Sequence, residues 1–216
     1  MPQAPLRIRS SRTTRYRLLR RVRPVEHSRA GYRVNLRTIG HVLAYVFATS
    51  LLIFAVWFYL TYRIGVVPPH SRSMAPTLKP GDQYLINIRA YRRHLPKRGD
   101  VVVFRVENGD YLVKRVIGTP GDWVWIEDAT TYLNGRPLRE PYTVHTAENW
   151  NEPAIQAVVP QGQVFVMGDN RDRSEDSRDF GPVSIKDILG RAERIIFPWN
   201  RRCTLDTSDA ADSPHR

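Results

Sequence analysis

The sequence predicts a mainly β protein, in which an N-terminal single transmembrane helix precedes an antiparallel β-rich domain. The helix is predicted because residues 38–62 contain no Lys, Arg, Asp or Glu. The β-rich domain is predicted because short runs of β-branched and aromatic residues follow, separated by turns that contain Gly and Pro. The composition agrees with a packed core, since 42% of the 216 residues are hydrophobic and 25% are charged.

This composition excludes a fully disordered chain, a collagen-like repeat and a disulfide scaffold. The single cysteine, Cys203, excludes an intramolecular disulfide and a metal site built from a Cys-x-x-Cys pair.

The N-terminal arm, residues 1–37, holds almost all of the excess charge. Its eleven arginines and one acid give a net charge of +10, whereas residues 38–216 carry 22 basic and 20 acidic residues. Its prolines and arginines predict that the arm is largely disordered. The arm either fixes the orientation of the span and contacts the phospholipid membrane, or it binds nucleic acid. Because it contains no RNA-binding motif, we expect no nucleic acid partner.

A transmembrane helix is predicted at residues 38–63. In its central segment, Val42–Tyr62, 18 of 21 residues are apolar or aromatic. A helix of this length rises about 31 Å, enough to cross a bilayer. The alternatives are a buried helix of a soluble domain and a cleavable signal peptide, which would have a shorter apolar region. Since basic residues favour the cytoplasmic side, the sequence predicts a single-pass protein of the cytoplasmic (inner) membrane, with a cytoplasmic N-terminus and residues 64–216 outside.

The domain after the helix is predicted at residues 64–202, with the tail 203–216 frayed. Asn108-Gly109 and Asn134-Gly135 are the predicted hairpin turns, because both residue types tolerate positive φ. One short helix is predicted from its N-cap, Ser184, to its end at Gly190. The strands are predicted at Gln83–Ile88, Asp100–Val106, Tyr111–Ile117, Trp123–Glu127 and Gln163–Met167.

Lys114 is the unusual residue of these strands. Leu112, Lys114 and Val116 share one face, because successive side chains of a strand point to opposite faces. If that face were buried, desolvation would lower the pKa of Lys114, and a neutral amine can accept a proton from a serine hydroxyl. The alternation alone favours an ordinary surface lysine and does not decide which face is buried.

A histidine is the other group that could activate a serine. Ser71 and Ser73 could simply be turn residues, and His70, His94 and His145 all lie in the predicted domain. None of these histidines accompanies a motif such as Gly-x-Ser-x-Gly, so a Ser-His-Asp triad is disfavoured.

Four blocks after the span concentrate unusual polar residues. They read Ser-Arg-Ser-Met-Ala-Pro-Thr-Leu (71–78), Arg-Gly-Asp-Val-Val-Val-Phe (98–104), Val-Lys-Arg-Val-Ile-Gly-Thr-Pro-Gly-Asp (113–122) and Met-Gly-Asp-Asn-Arg-Asp-Arg-Ser-Glu-Asp-Ser-Arg (167–178). In this order they closely resemble the motifs of bacterial type I signal peptidases, membrane-bound serine proteases of family S26 with a Ser–Lys dyad. The resemblance runs from about residue 68 to about residue 198.

The resemblance implies roles for the residues that match the motifs. Ser73 would be the nucleophile, and Lys114 the general base that later returns its proton to the leaving amine. The Ser71 hydroxyl and the backbone N–H of Ser73 would form the oxyanion hole, where each donor contributes about 3–4 kcal/mol. Ser174 would hydrogen-bond and orient the lysine.

Four further residues match the fourth block of the family's motifs. Asp176 and Arg178 would form a supporting pair near the site, and Asp169 and Asn170 would shape the loop that carries them. Neither a metal nor a cofactor is implied.

The resemblance also implies the substrate, which would be the signal peptides of exported preproteins, cleaved after small residues at positions −1 and −3. An extended substrate would add a strand beside the catalytic strands, with Met74 and Pro76 in the groove. Val66, Val67 and Met74 are also predicted to form a membrane-facing surface.

Two features distinguish the chain within the resemblance. The spacings of 41 residues from Ser73 to Lys114 and 60 from Lys114 to Ser174 resemble compact members, with a small inserted β subdomain at about residues 121–162. Arg72 occupies a position that the family often fills with glycine.

Three alternatives remain open from the sequence. One is a specialised relative that processes one dedicated precursor, and another is a catalytically silent membrane-anchored β domain. The third is a self-cleaving repressor with Ser–Lys chemistry, which would need a DNA-binding domain and no span.

Overall fold

The structure is a computed structural model and describes residues 35–144 and 154–205. The arm up to residue 34, His145 and the tail from residue 206 lie outside this range, so the predictions made for them stay predictions.

The long helix α1, Leu36–Thr61, has 26 residues and is apolar enough to cross a membrane, as predicted. It begins two residues before the predicted boundary because the Asn35 side chain caps it, with Oδ1 accepting from the N–H of Arg37 at 3.1 Å. Thr61 is its one buried residue. The chain divides into two compact units after Val46, within this helix.

Eleven strands and a second, four-residue helix are described after α1. Every strand pairing is antiparallel. The elements are β1 Tyr62–Val66, β2 Gln83–Asn87, β3 Val101–Arg105, β4 Tyr111–Gly118, β5 Trp123–Glu127, β6 Thr130–Leu133, β7 Arg136–Pro137, β8 Ile155–Val158, β9 Gln163–Met167, α2 Ser177–Phe180, β10 Val183–Ser184 and β11 Ile188–Phe197.

The strands form two sheets. The large sheet has the order β1-β2-β11-β3-β4-β9-β10, and the small sheet has the order β7-β6-β5-β8. The small sheet is built from residues 123–158, which lie within the segment expected to form the inserted subdomain. The predicted mainly β architecture is therefore confirmed.

The core lies on both faces of the large sheet. Alternation along β3 explains this arrangement, since Val101 and Val103 enter one apolar cluster while Val102 and Phe104 enter another. A third cluster joins β4 and β9 to the small sheet through residues such as Ile117.

Both predicted hairpin turns are confirmed. Asn108-Gly109 joins β3 to β4, with Gly109 at φ +92°, and Asn134-Gly135 joins β6 to β7, with both residues at positive φ. A third tight turn, at Asp128-Ala129, also has two positive φ values and carries no glycine signal in the sequence.

The predicted helix between Ser184 and Gly190 is wrong. Ser184 Oγ accepts from the N–H of Lys186 at 3.3 Å, but only one 3₁₀ turn, Ile185–Asp187, follows. Residues 188–197 then form β11, the longest strand, because β2 and β3 pair with it on its two edges. Several other elements were not predicted, namely β1, which starts directly after α1, the strands β8 and β10, and the short helix α2.

The prediction of a frayed tail is wrong for residues 203–205. The N–H of Ile195 donates to the carbonyl of Cys203 at 3.0 Å, and the N–H of Leu205 donates to Glu193 at 2.9 Å. Leu205 is buried in the same core cluster as Val101. The segment after β11 therefore folds back along that strand.

Candidate active site

Lys114 lies in the middle of β4 with only 2% of its surface exposed. Its cross-strand partner on β3 is Val102, which is fully buried. Val116, on the same face of β4, is buried with Val102 in one apolar cluster. The side chain therefore enters the protein interior, and the interpretation of Lys114 as a surface lysine is wrong.

Burial changes the acid–base behaviour of this lysine. Desolvation lowers the pKa of Lys114 to about 8, although the nearby Asp176 carboxylate acts in the opposite direction. The cause is that the ammonium loses its hydration in an apolar setting, whereas the neutral amine loses little. A substantial fraction of the protein therefore carries a neutral, proton-accepting amine near pH 8.

A directional chain of hydrogen bonds orients that amine. Lys114 Nζ donates to Ser174 Oγ at 2.9 Å, and Ser174 Oγ donates to Asp176 Oδ2 at 2.7 Å. Because the Ser174 proton is committed to the carboxylate, its oxygen faces Lys114 as an acceptor. The amine thus uses one N–H on Ser174, and its lone pair is free to point elsewhere.

Asp176 is held ionised at the far end of this chain. Burial alone would raise the pKa of its carboxyl, but hydrogen bonds from Arg178, Gly168 and Ser174 together lower it below the usual range. Arg178 Nε binds Asp176 Oδ1 at 2.9 Å, and the N–H of Gly168 donates to Oδ2 at 2.9 Å. Arg178 also donates to the carbonyl of Arg171 at 2.7 Å, which ties the 168–178 loop together.

Asp176 has a second role in the local fold. Its side chain caps α2 by accepting from the N–H of Arg178, and its own N–H donates to Asp179 Oδ2 at 2.9 Å. This reciprocal pair is a capping box. Phe180, at the end of α2, packs against Phe104 of β3, with ring centroids 6.2 Å apart. The cap therefore fixes α2 on the face of the sheet that carries Lys114.

The loop that carries Ser73 contacts the same turn. The carbonyl of Ser73 accepts from the N–H of Asn170 at 2.9 Å. Gly168 fits between this carbonyl and Ser174 so closely that a Cβ at residue 168 would overlap both the Ser73 oxygen and the Ser174 hydroxyl. The 168–170 turn therefore brings the predicted nucleophile beside the serine that orients Lys114.

The donors expected in the oxyanion hole have no partner within the part of the chain that the structure describes. The backbone N–H of Ser73 and the hydroxyl of Ser71 make no hydrogen bond there, whereas the N–H of Ser71 donates to Pro68 at 3.0 Å. Over the same range, no hydrogen bond joins Ser73 Oγ to Lys114 Nζ. Catalytic hydrogen bonds often tighten only when substrate is bound, so the two side chains remain the expected pair.

The histidine alternative finds no support in the geometry. His70 and His94 are both exposed, and neither makes a hydrogen bond within residues 35–144 and 154–205. An exposed imidazole without an orienting partner lacks the fixed position that a general base needs. His145 lies outside the described residues.

Arg115, the neighbour of Lys114, forms a separate ion pair that the sequence did not assign. Its Nε and Nη2 bind the two oxygens of Asp169 at 2.8 and 2.7 Å, and its Nη1 donates to the carbonyl of Gly99 at 2.8 Å. Thr77, from the loop after Ser73, donates to the same carboxylate at 2.5 Å. This pair therefore connects all four sequence blocks.

Of the two residues predicted for the substrate groove, Pro76 is exposed and Met74 is 4% exposed. Met74 and Val67 both lie in the core cluster with Leu78, so the prediction that they form a membrane-facing surface is wrong. The apolar character that suggested a surface instead fixes the loop to the core. Val66, in contrast, is exposed at the end of β1.

One edge of β4 is available to an added strand. β9 pairs with β4 only from Arg115 to Gly118, so the segment from Tyr111 to Lys114 has no strand partner on that edge among the described residues. An extended peptide could pair there and place its backbone next to Lys114.

Arg201 is a contact of the Ser73 loop that the sequence did not reveal. It donates to the carbonyls of Pro76 and Thr77 at 3.1 and 3.2 Å and pairs with Asp82 at 3.3 Å. Arg201 lies four residues after the last strand and far in sequence from Pro76 and Thr77, so only the folded structure reveals this contact.

Comparisons with known proteins agree with the motif order. Residues 40–198 match the family model described as "Signal peptidase, peptidase S26". The chain is 37% identical over 163 residues to "Probable signal peptidase I-1" of Synechocystis sp., covering 70% of this chain and 82% of that protein. It is 35% identical over 166 residues to "Signal peptidase IB" of Staphylococcus aureus, covering 68% and 87%.

Among solved structures, a crystal structure of a signal peptidase I from Enterococcus faecalis V583 has 37% sequence identity and a TM-score of 0.40, covering 44% of this chain and 95% of that one.

The chain belongs to the signal peptidase family, peptidase S26. The resemblance predicted from the four blocks is thereby confirmed, and the class of enzyme is a peptidase, a hydrolase. Together with α1, family membership indicates a membrane-anchored peptidase.

Proposed function

We propose that the protein is a membrane-bound serine endopeptidase that removes N-terminal signal peptides from exported preproteins, with Ser73 as nucleophile and Lys114 as general base. The observation that carries the proposal is the buried, oriented amine. Lys114 has a pKa lowered to about 8, is hydrogen-bonded to Ser174, and lies beside the turn that holds the Ser73 loop. The names of the relatives supply the substrate class.

In acylation, the neutral amine of Lys114 accepts the hydroxyl proton of Ser73 while Ser73 Oγ attacks the carbonyl carbon of the −1 residue. The negative charge that develops on the carbonyl oxygen is stabilised by the N–H of Ser73 and the hydroxyl of Ser71. The C–N bond then breaks, and the Lys114 ammonium gives its proton to the leaving amine. The product released in this step is the mature protein.

In deacylation, Lys114 accepts a proton from a water molecule that attacks the acyl ester. The ester bond breaks, Ser73 recovers its proton from Lys114, and the signal peptide leaves with a free carboxylate. Ser174 and Asp176 orient the amine for both steps, and Arg178 keeps Asp176 ionised. Catalysis therefore needs no group beyond those of the chain and water.

The substrate would bind as an added strand on the free edge of β4, with small residues at −1 and −3 and with Met74 and Pro76 beside the groove. The N-terminus would be cytoplasmic and the catalytic domain extracytoplasmic. Support for this orientation comes from the arginines that precede α1, because basic residues favour the cytoplasmic side of a span.

The test is cleavage of a preprotein with an Ala-x-Ala site by the purified protein in detergent with phospholipid. The wild type is compared with Ser73→Ala and Lys114→Ala, and the new N-terminus of the product is sequenced. We expect the wild type to cut after the −1 alanine and both variants to be inactive. Equal cleavage by Lys114→Ala would overturn the assignment of the base. Failure of the wild type on several unrelated preproteins would instead favour a dedicated precursor.

A further inference from the structure

A cavity of about 630 Å³ opens between the C-terminal part of α1 and the sheet that follows it. The helix contributes Phe54, Trp57 and Phe58, and the opposite wall is formed mainly by β11 and the segment after it. Neither Ser73 nor Lys114 lines this cavity. It is therefore separate from the candidate active site.

The walls of the cavity combine apolar and cationic side chains. On the helix, Phe54 lies seven residues before the end of α1, which corresponds to about 10 Å of helix. The lining also includes Arg191 and Arg194 of β11 and Arg202 of the segment that folds back along β11. An occupant that matches both features must have an apolar part for the aromatic residues of the helix and a polar part for the arginines.

The charges in the cavity favour an anion. Its two acidic residues, Asp100 and Glu193, both pair with Arg191, at 3.6 and 2.9 Å. Arg194 and Arg202 are exposed and form no ion pair within the described residues, although Arg202 stacks on the Trp199 ring at 4.0 Å. Two arginine side chains are thus left to bind a negatively charged group.

We propose that this cavity binds one anionic phospholipid of the surrounding bilayer. Its phosphate would lie between Arg194 and Arg202, where a planar guanidinium can bind a phosphate through two hydrogen bonds. Its acyl chains would lie against Phe54, Trp57 and Phe58. The bound lipid would join the end of the membrane helix to the C-terminal segment. This site goes beyond the proposed peptidase activity and does not depend on it.

The experiment measures binding by native mass spectrometry of the purified full chain in a nonionic detergent. Phosphatidylglycerol is titrated, with phosphatidylcholine of the same acyl chains as the zwitterionic comparison. Glycerophosphoglycerol, which has the headgroup and no acyl chains, tests whether the phosphate alone is sufficient. The paired variant is Arg194→Gln with Arg202→Gln. The matched control is Arg136→Gln with Arg139→Gln, which removes two exposed arginines from the small-sheet region.

We expect one tightly bound phosphatidylglycerol, weaker binding of phosphatidylcholine and negligible binding of glycerophosphoglycerol. The Arg194/Arg202 pair should weaken phosphatidylglycerol binding by roughly 10- to 30-fold, as two arginines at a membrane surface would. The control pair should change it less than about twofold.

Three results would overturn the proposal. If both paired variants weakened phosphatidylglycerol binding equally, the overall positive charge of the chain, including that of the N-terminal arm, would account for the binding. If phosphatidylcholine bound as tightly as phosphatidylglycerol, the arginines would not be selecting an anionic headgroup. Binding of glycerophosphoglycerol as tight as that of the lipid would indicate a phosphate site without an acyl chain.

Discussion

Lys114 and Arg115 are neighbours on β4, both basic and both buried, yet their surroundings differ. Arg115 is bound by both oxygens of Asp169 and by the carbonyl of Gly99. Lys114 has one hydrogen-bond partner within the described residues, the neutral hydroxyl of Ser174. The same strand thus carries a guanidinium that is paired with a carboxylate and an amine that is paired only with a hydroxyl.

The difference teaches how the fold separates structural support from chemistry. A guanidinium with a carboxylate on its fork stays charged at every accessible pH and can only hold the loops together. The Lys114 amine instead donates to a neutral hydroxyl, and the Asp176 carboxylate is bonded to that hydroxyl rather than to the amine. Burial then lowers the pKa of Lys114 to about 8. The predictions below test this contrast, beginning with the largest expected effect.

Replacing Lys114 by Met should remove activity and leave the fold intact. Methionine has a similar length and needs no hydration, so burial costs less than for the ammonium. Loss of the proposed general base should lower kcat/KM by roughly 10³-fold or more. The measurements are preprotein cleavage and urea unfolding of the same sample in detergent. A variant that lost stability along with activity would contradict the separation.

Replacing Arg115 by Met should act in the opposite way and lower the free energy of unfolding by about 3–5 kcal/mol. The cause is the Asp169 carboxylate, which would remain buried without its counter-charge. Combining Arg115→Met with Asp169→Leu should restore part of the loss, because no unpaired charge then remains. Arg105→Met, at an exposed position of β3, is the control and should change stability by less than about 0.5 kcal/mol.

Replacing Ser174 by Ala should lower kcat by roughly 10²-fold with little change in KM, because the amine loses the group that orients it. Ser177→Ala is the matched control. The Ser177 hydroxyl accepts from the N–H of Val166 at 2.9 Å and makes no hydrogen bond with Lys114 within the described residues. The control should cost about 1 kcal/mol of stability while kcat is unchanged. Equal kcat losses in both variants would point to loosened packing rather than orientation.

Replacing Arg201 by Gln should have the smallest effect, a few-fold fall in kcat and a loss of about 1–2 kcal/mol of stability. The reason is that Arg201 holds the carbonyls of Pro76 and Thr77, just after the proposed nucleophile. Arg201→Lys should recover part of kcat, since an ammonium can still donate to those carbonyls. A change in KM alone would contradict a role in positioning Ser73.

Much of the fold was predictable because local signals agreed with tertiary structure. The β-branched runs at β5 and β9 have the predicted bounds, and the Asn-Gly turns lie where positive φ is needed. The Asp128-Ala129 turn was not predictable, because alanine rarely adopts positive φ and only the pairing of β5 with β6 imposes it.

The failure at β11 has a different cause. Ser184, Asp187 and Gly190 form a plausible helix signal, and the local sequence satisfies its first turn. The ten residues from Ile188 nevertheless extend, because two partner strands offer hydrogen bonds along both edges. Long-range pairing of this kind outweighs propensity and leaves no short-range pattern.

The candidate site was likewise predictable only in part. The motif order predicted that Ser73, Lys114 and Ser174 belong together. Alternation along β4 could not decide which face was buried, since both faces carry apolar residues. The burial of Lys114 follows from Val102 and Val116, and the contacts of Gly168 and Arg201 follow from packing between segments distant in sequence.

The most direct test of the central claim is the pH dependence of kcat/KM, together with the titration of lysine Cε signals by NMR. Only the neutral amine of Lys114 can accept a proton, so kcat/KM should rise with pH and level off above about 8. One lysine NMR signal, which should be absent from Lys114→Met, should titrate with the same midpoint. Asp176→Asn should move that midpoint to lower pH, because the carboxylate raises the pKa of Lys114. A midpoint of about 6.5, as for a histidine, or a Lys114 signal that titrates at about 10.4, as in water, would contradict the account.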